Sequence, residues 1–244
     1  MIAGAAKECK LEPVEREAPA TGLRMRELWG RVTVRKIARR LADAFEDLRC
    51  TGSLEFMLEL LAANWHSGHD VLRDIFRRVD IGDDDVIADI GCGKGRVVAF
   101  LSHAFPRSRV IGIEMDDTAL FAKKAFARNP RVEIRHATLE EAFPDEATVF
   151  FLFPPTDGDL PHILKALVDS RAKRDIRVVA KGAMGDLAEF EADDSWTIER
   201  VPPPSGLLRR FFSTHFIYQH DKRGPGYHYG LILQKTVRSA PAPA

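Results

Sequence analysis

A doubly wound α/β fold is the class this sequence predicts. Short runs rich in β-branched residues, "DVIADIG", "RVIGIEM", "TVFFLFPP" and "IRVVAKG", alternate with segments of helical apolar period, "GRVVAFLSHAF" and "LPHILKALVDSR". Strands alternating with helices of this length imply a parallel sheet covered on both faces. Towards the end the rhythm changes. "WTIERVP", "THFIYQHD" and "YHYGLILQK" are strand-like with no helix between them, so an antiparallel C-terminal strand completes a mostly parallel, seven-stranded sheet.

Taken in order, residues 1–22 are poor in large apolar residues and carry Pro13, Pro19 and Gly22, the signature of a flexible arm. Residues 23–63 read as an N-terminal helical segment. Ile37, Leu41, Phe45 and Leu48 share one face of a helix over 23–48, and Leu54, Met57, Leu58 and Leu61 point inward from a second helix over Ser53–Ala62. Between residues 23 and 40 seven basic residues stand against one acid, Glu27. They form either a solvated face beside the acids Asp43, Glu46 and Asp47, or an anion-binding surface. A domain over 64–238 follows. In it Ser67 is placed to cap a helix, with Asp70 three residues on as in a capping box, and Leu72, Ile75, Phe76 and Val79 form its buried stripe. Residues 239–244, "SAPAPA", read as a flexible tail.

The bulk numbers exclude several function classes. A chain of 244 residues, 45% hydrophobic and 30% charged, reads as one soluble domain with a sizeable core. Lys+Arg and Asp+Glu both number 36, so net charge points to neither nucleic acid nor membrane. Three cysteines without a CxxC pair argue against a disulfide framework or a cysteine-rich zinc site. No stretch approaches the roughly 18 apolar residues of a membrane helix, and the opening is charged too early for a secretory leader, so a cytoplasmic location is expected.

"DVIADIGCGKGRVVAF" carries the chemistry. A strand ending in Asp89, a turn with Gly91, Gly93 and Gly95, and a helix beginning near Gly95 present backbone N–H groups to a closely approaching ligand. A dinucleotide fold needs a small third residue in G-x-G-x-x-G/A, where this chain has Arg96, and no P-loop pattern occurs. The run D-x-G-x-G-x-G resembles the first motif of the class I S-adenosylmethionine-dependent methyltransferases. Glu114 ends the second strand 19 residues after Gly95, where that family places an acid for the ribose hydroxyls. The resemblance covers about residues 64 to 236 and is nearest to small bacterial methyltransferases with a "FLFNP"-like fourth strand, more distantly to the protein lysine methyltransferases built on this fold.

The resemblance implies S-adenosylmethionine as cofactor. Asp89 would order the turn and the methionine ammonium, Gly91, Cys92 and Gly93 would line the methionine moiety beside Gly95, Glu114 would take the ribose, and Met115 would pack on adenine. Thr138 and Leu139 follow strand 3, where relatives offer an acid to the adenine amino group. After strand 4 the chain has Phe153-Pro154-Pro155-Thr156 in place of an Asn/Asp-Pro run, which argues against methylation of a nucleobase amino group. Asp157, in the loop after the prolines, is a candidate catalytic residue that accepts a proton or orients the acceptor; the alternative is a turn residue, with Asp159 capping the next helix. His66, beside Trp65, is a second candidate, at a distance from the first motif where relatives place gating residues; the alternative is a structural histidine.

No pair of the eight histidines has metal-ligand spacing with a third partner, so no metal is expected. Phe211, Phe212, His215 and Tyr218 are either core and hairpin residues or an acceptor-binding wall. Three functions follow: methylation of a small-molecule acceptor, methylation of protein lysine, or cofactor binding without turnover. No membrane or nucleic-acid partner is expected.

Overall fold

A computed structural model describes residues 22–62, 67–153, 159–181, 188–202 and 230–237, with the backbone alone for 22–36 and for residue 62. The arm, the tail, "THFIYQHD" and the aromatic wall at 211–218 lie outside these residues. A long helix α1 (Gly22–Thr51) and a short α2 (Leu54–Ala62) precede α3 (His69–Phe76). The alternating part follows as β1 (Val86–Ile90), α4 (Arg96–Ala104), β2 (Arg109–Glu114), α5 (Thr118–Phe126), β3 (Val132–His136), β4 (Val149–Leu152), α6 (Leu160–Arg171) and β5 (Ile176–Lys181). It ends in α7 (Ala188–Glu191), β6 (Trp196–Val201) and β7 (Gly230–Lys235).

The seven strands stand in the order β3-β2-β1-β4-β5-β7-β6. Pairings from β3 to β5 are parallel, and β7 runs against both β5 and β6. The predicted class is therefore observed, with the reversed strand lying inside the edge. Alternate residues along a strand face opposite sides. Ile87, Val149, Phe151 and Val179 meet α3, α4 and α5 in one core, and Ala88, Ile90, Phe150, Leu152 and Val178 meet α6 and α7 in the other. Burial on both sides explains why these strands are almost continuously apolar.

The helices before the sheet are oriented differently from their apolar periodicity. On α1, Ile37, Leu41 and Phe45 are exposed, whereas Arg39, Ala44 and Asp47 are buried. On α2, Leu54 and Leu58 are exposed and Phe56 and Leu60 are buried. The face of α1 turned to the protein is charged because it packs on charged partners: Arg39 donates to Asp70, and Arg96 and His69 both bond to Asp47. Asp43 and Asp47, beside the basic run, are thus partners of other elements, while the side chains of the run up to residue 36 lie outside what is described. Ser67 does not cap α3 either. Gly68 is the N-cap, and Asp43 of α1 accepts from the His69 N–H at 3.0 Å, while Asp70 is drawn to Arg39. The stripe Leu72, Ile75, Phe76 and Val79 is buried as its spacing requires.

Candidate cofactor site

The chain order reverses between β1 and β4, which opens a crevice beyond the carboxyl ends of those strands. The glycine turn lies there. Gly91, Gly93 and Gly95 have φ of 74°, 52° and 89°, in the left-handed region that favours glycine. Their surroundings differ. A Cβ on Gly91 or Gly93 would meet none of the described residues within 4 Å, whereas one on Gly95 would lie 2.7 Å from the Phe126 ring of α5. Gly95 lets α4 pack on α5; Gly91 and Gly93 floor an open space.

The turn is not an anion cradle of the kind its glycines suggest. The N–H groups of Gly91 and Cys92 donate to the Ile113 carbonyl at 2.8 and 3.0 Å, and that of Gly95 to the Cys92 carbonyl at 2.9 Å. Gly93 N–H donates to Glu114 Oε2 at 2.8 Å, and the other oxygen, Oε1, accepts from Asp116 N–H at 2.9 Å. Those four donors are already engaged, and a carboxylate stands among them. A pyrophosphate would find repulsion rather than hydrogen bonds.

Asp89 adds a second carboxyl beside the turn. It is 2% exposed, and its Oδ2 is buried without a hydrogen-bond partner among the described residues. Burial pushes its pKa up to about 8, and the nearby Glu114 charge pushes in the same direction. A buried acceptor without a donor is destabilising by about 1–3 kcal/mol. A cationic group seated over Gly91 would remove that penalty. The S-adenosylmethionine methionine end carries an ammonium and a sulfonium, and its ribose carries two hydroxyls for the remaining lone pairs of Glu114. The residues present fit that cofactor.

The other predicted residues are distributed around this centre. Cys92 is buried, its thiol pushed far up by burial, and its Sγ fills the room a Cβ on Gly112 would need. Met115 is 69% exposed beside Glu114. Thr138 is exposed, and its Oγ1 accepts from Glu141 N–H at 3.4 Å while Glu141 accepts from Thr138 N–H, a local cap. Leu139 is buried in the core on the α6 side. Phe153 is partly exposed at the end of β4. Asp157 and His66 lie outside the described residues. His162 bonds to Glu189 at 3.0 Å, and Asp159 is the N-cap of α6 without a side-chain capping bond.

Two features escaped the sequence reading. Asp47 is fully buried, accepting from Arg96 at 2.6 to 3.1 Å and pairing with His69 Nε2 at 2.8 Å. Arg96, the residue that breaks the dinucleotide pattern, thereby ties α4 to α1, and Lys94 ties the turn to Glu59 of α2. The second is Lys181, a buried lysine at the end of β5, with Nζ 4.2 Å from the Phe153 ring centroid. A lone lysine at the end of "IRVVAK" was the available signal. Glu46, Cys50 and His69 also gather within 4.8 Å, but Glu46 already pairs with Arg49 and Arg73, and burial pushes the Cys50 thiol up to about 11. A metal ion there would have to displace two arginines.

Residues 87–167, from β1 into α6, match the methyltransferase domain family. Three curated proteins are similar over parts of the chain. A trans-aconitate 2-methyltransferase of Azoarcus sp. strain BH72 is 35% identical over 81 residues, 33% of this chain and 31% of that protein. A ribosomal RNA small subunit methyltransferase A of Geobacter metallireducens is 35% identical over 82 residues, 33% and 29% of the two chains. A protein-lysine N-methyltransferase of Saccharolobus islandicus is 27% identical over 116 residues, 45% of this chain and 70% of that one. The chain thus spans about a third of the length of the first two relatives. The match lies across the glycine turn and Glu114, so residues 87–167 are similar to a methyltransferase domain.

Proposed function

We propose that the protein is an S-adenosylmethionine-dependent methyltransferase acting on a small-molecule acceptor. The observation that carries the proposal is the space left open by the described residues over Gly91 and Gly93, bounded by the buried carboxyl of Asp89, which has no partner among them, and by Glu114. In this reading Asp89 takes the methionine ammonium, Gly91 to Gly93 lie under the methionine chain, and Glu114 accepts from both ribose hydroxyls. Met115, Thr138 and Leu139 border the adenine, and Phe153 stands where the acceptor enters. The bound cofactor supplies a methyl group already activated on a sulfonium. The protein aligns the acceptor with it, excludes water and takes up a proton where the acceptor carries one. Asp157 and His66 remain candidates for acceptor orientation.

A second reading is a protein lysine methyltransferase, favoured by the likeness to the Saccharolobus enzyme along 70% of its length. Methyl-labelled cofactor incubated with the protein and a cell extract separates the two. Label in the low-molecular-mass fraction supports the first reading and label in protein the second. Bound cofactor with no label released leaves a binding module.

A further inference from the structure

β1, β4 and β5 are parallel and in register, with Ile90 beside Leu152 and Leu152 beside Ala180. One residue further along each strand, Gly91, Phe153 and Lys181 occupy the next rung, at the carboxyl edge. Side chains alternate, so Phe153 and Lys181 stand on the same face as Phe151 and Val179, which is also the face of Asp89. Strands lie about 4.8 Å apart, which puts Lys181 two strands, roughly 10 Å, from the turn. Along this edge come Glu114 on β2, the turn after β1, Phe153 after β4 and Lys181 on β5. A cofactor with its ribose at Glu114 and its methionine at the turn would leave the edge of β4 and β5 beside it for an acceptor.

We propose that Lys181 is the proton acceptor of the methyl-transfer site, its neutral amine removing a proton from a hydroxyl or amino group of the acceptor. The proposal rests on the methyltransferase reading above. The acceptor X–H gives its proton to Nζ, its lone pair forms the X–CH3 bond, and the electrons of the breaking S–CH3 bond stay on sulfur. S-adenosylhomocysteine and a methylated acceptor result, and the ammonium returns its proton to water. The acceptor is therefore an alcohol, phenol or amine rather than a carboxylate, which needs no base.

The surroundings suit this role. Lys181 is 5% exposed, and burial holds its pKa down at about 8. Arg39 on α1 and Arg96 on α4 push it further down, while Asp43 on α1 and Asp70 on α3 oppose them. Its partner on β7 is Gly230, which adds no charge. The Phe153 ring favours the ammonium once formed.

The test compares wild type with Lys181→Met and Lys181→Arg. Transfer of label from methyl-tritiated S-adenosylmethionine to the small-molecule fraction of a cell extract is followed from pH 6.5 to 9. S-adenosylhomocysteine affinity is measured by calorimetry, and the lysine resonance lost in the variants is titrated by NMR. The expected result is a Lys181 midpoint near 8, a wild-type rate rising to a plateau above it, and loss of about 100-fold or more in both variants. S-adenosylhomocysteine affinity stays within about threefold. Transfer retained by Lys181→Arg overturns the proposal, since a fixed cation then suffices, as does transfer retained by Lys181→Met. A midpoint near the ordinary value of about 10.4, or loss of S-adenosylhomocysteine binding in both variants, also overturns it. Wild type that transfers no label to any fraction overturns the reading on which it rests.

Discussion

Two carboxyl groups are buried near the glycine turn, and they differ in their partners. Asp47, on α1, is held by the Arg96 guanidinium and the His69 ring. Asp89, at the end of β1, has an oxygen with no partner among the described residues and a pKa pushed up to about 8. Burial is nearly the same, 0% and 2% exposed. The difference is therefore in the partners supplied by the chain. Asp47 is completed by its own protein and serves the fold. Among the described residues Asp89 has no such partner, and in the proposed function the cation that completes it comes from the cofactor.

The largest effect expected from this contrast is on stability. Asp47→Ala leaves the Arg96 guanidinium buried without its counter-ion, which destabilises by about 3–5 kcal/mol. Against a total of about 5–15 kcal/mol, that shift is plain in urea denaturation. Asp89→Asn should behave oppositely. It removes a buried acid that the free protein holds protonated, so the free fold keeps or gains stability, while cofactor affinity falls by at least about tenfold, or about 1.4 kcal/mol. A large loss of free-state stability in Asp89→Asn, or none in Asp47→Ala, breaks the comparison.

The same contrast has a pH signature. The folded Asp89 pKa, about 8, lies above its ordinary 3.8. Between those values the folded protein binds a proton that the unfolded chain has released. Its contribution to stability is therefore fully present below about pH 4 and is lost as pH rises towards 8. Asp89→Asn should flatten that slope in denaturation curves of the free protein, and saturating cofactor should flatten it in the wild type.

Glu114→Gln is expected to act more mildly. The amide keeps one oxygen for the Gly93 N–H but loses the charge that attracts ribose hydroxyls, so affinity drops by about tenfold with little change in denaturation midpoint. The smallest effect belongs to Leu41→Lys on the exposed stripe of α1. A surface change of this kind stays within about 0.5 kcal/mol, and a loss of 2 kcal/mol or more would mean that the stripe is covered.

The sheet was legible because both its faces are apolar, so composition alone marks β1, β4 and β5. The turn and Glu114 were legible because their spacing is local and fixed. The faces of α1 and α2 were not. On α1 an apolar stripe (Ile37, Leu41, Phe45) and a charged stripe (Arg39, Asp43, Asp47) repeat with the same period, and only partners far along the chain decide which is buried. Those partners sit 22, 31 and 49 residues away, at His69, Asp70 and Arg96. Lys181 was hidden for a related reason. In sequence it ends a strand, and only the register across β1, β4 and β5 sets it level with Gly91.

Calorimetric titration of S-adenosylmethionine into wild type and Asp89→Asn, at pH 6 and pH 8 in buffers of different ionisation enthalpy, tests the central claim most directly. The account predicts tighter binding at pH 8 than at pH 6 in the wild type, with a proton released from Asp89 at pH 6 as the cofactor's ammonium takes its place. In Asp89→Asn it predicts weak binding with that released proton absent. Equal affinity in the two proteins at both pH values, with the same proton release, would contradict it.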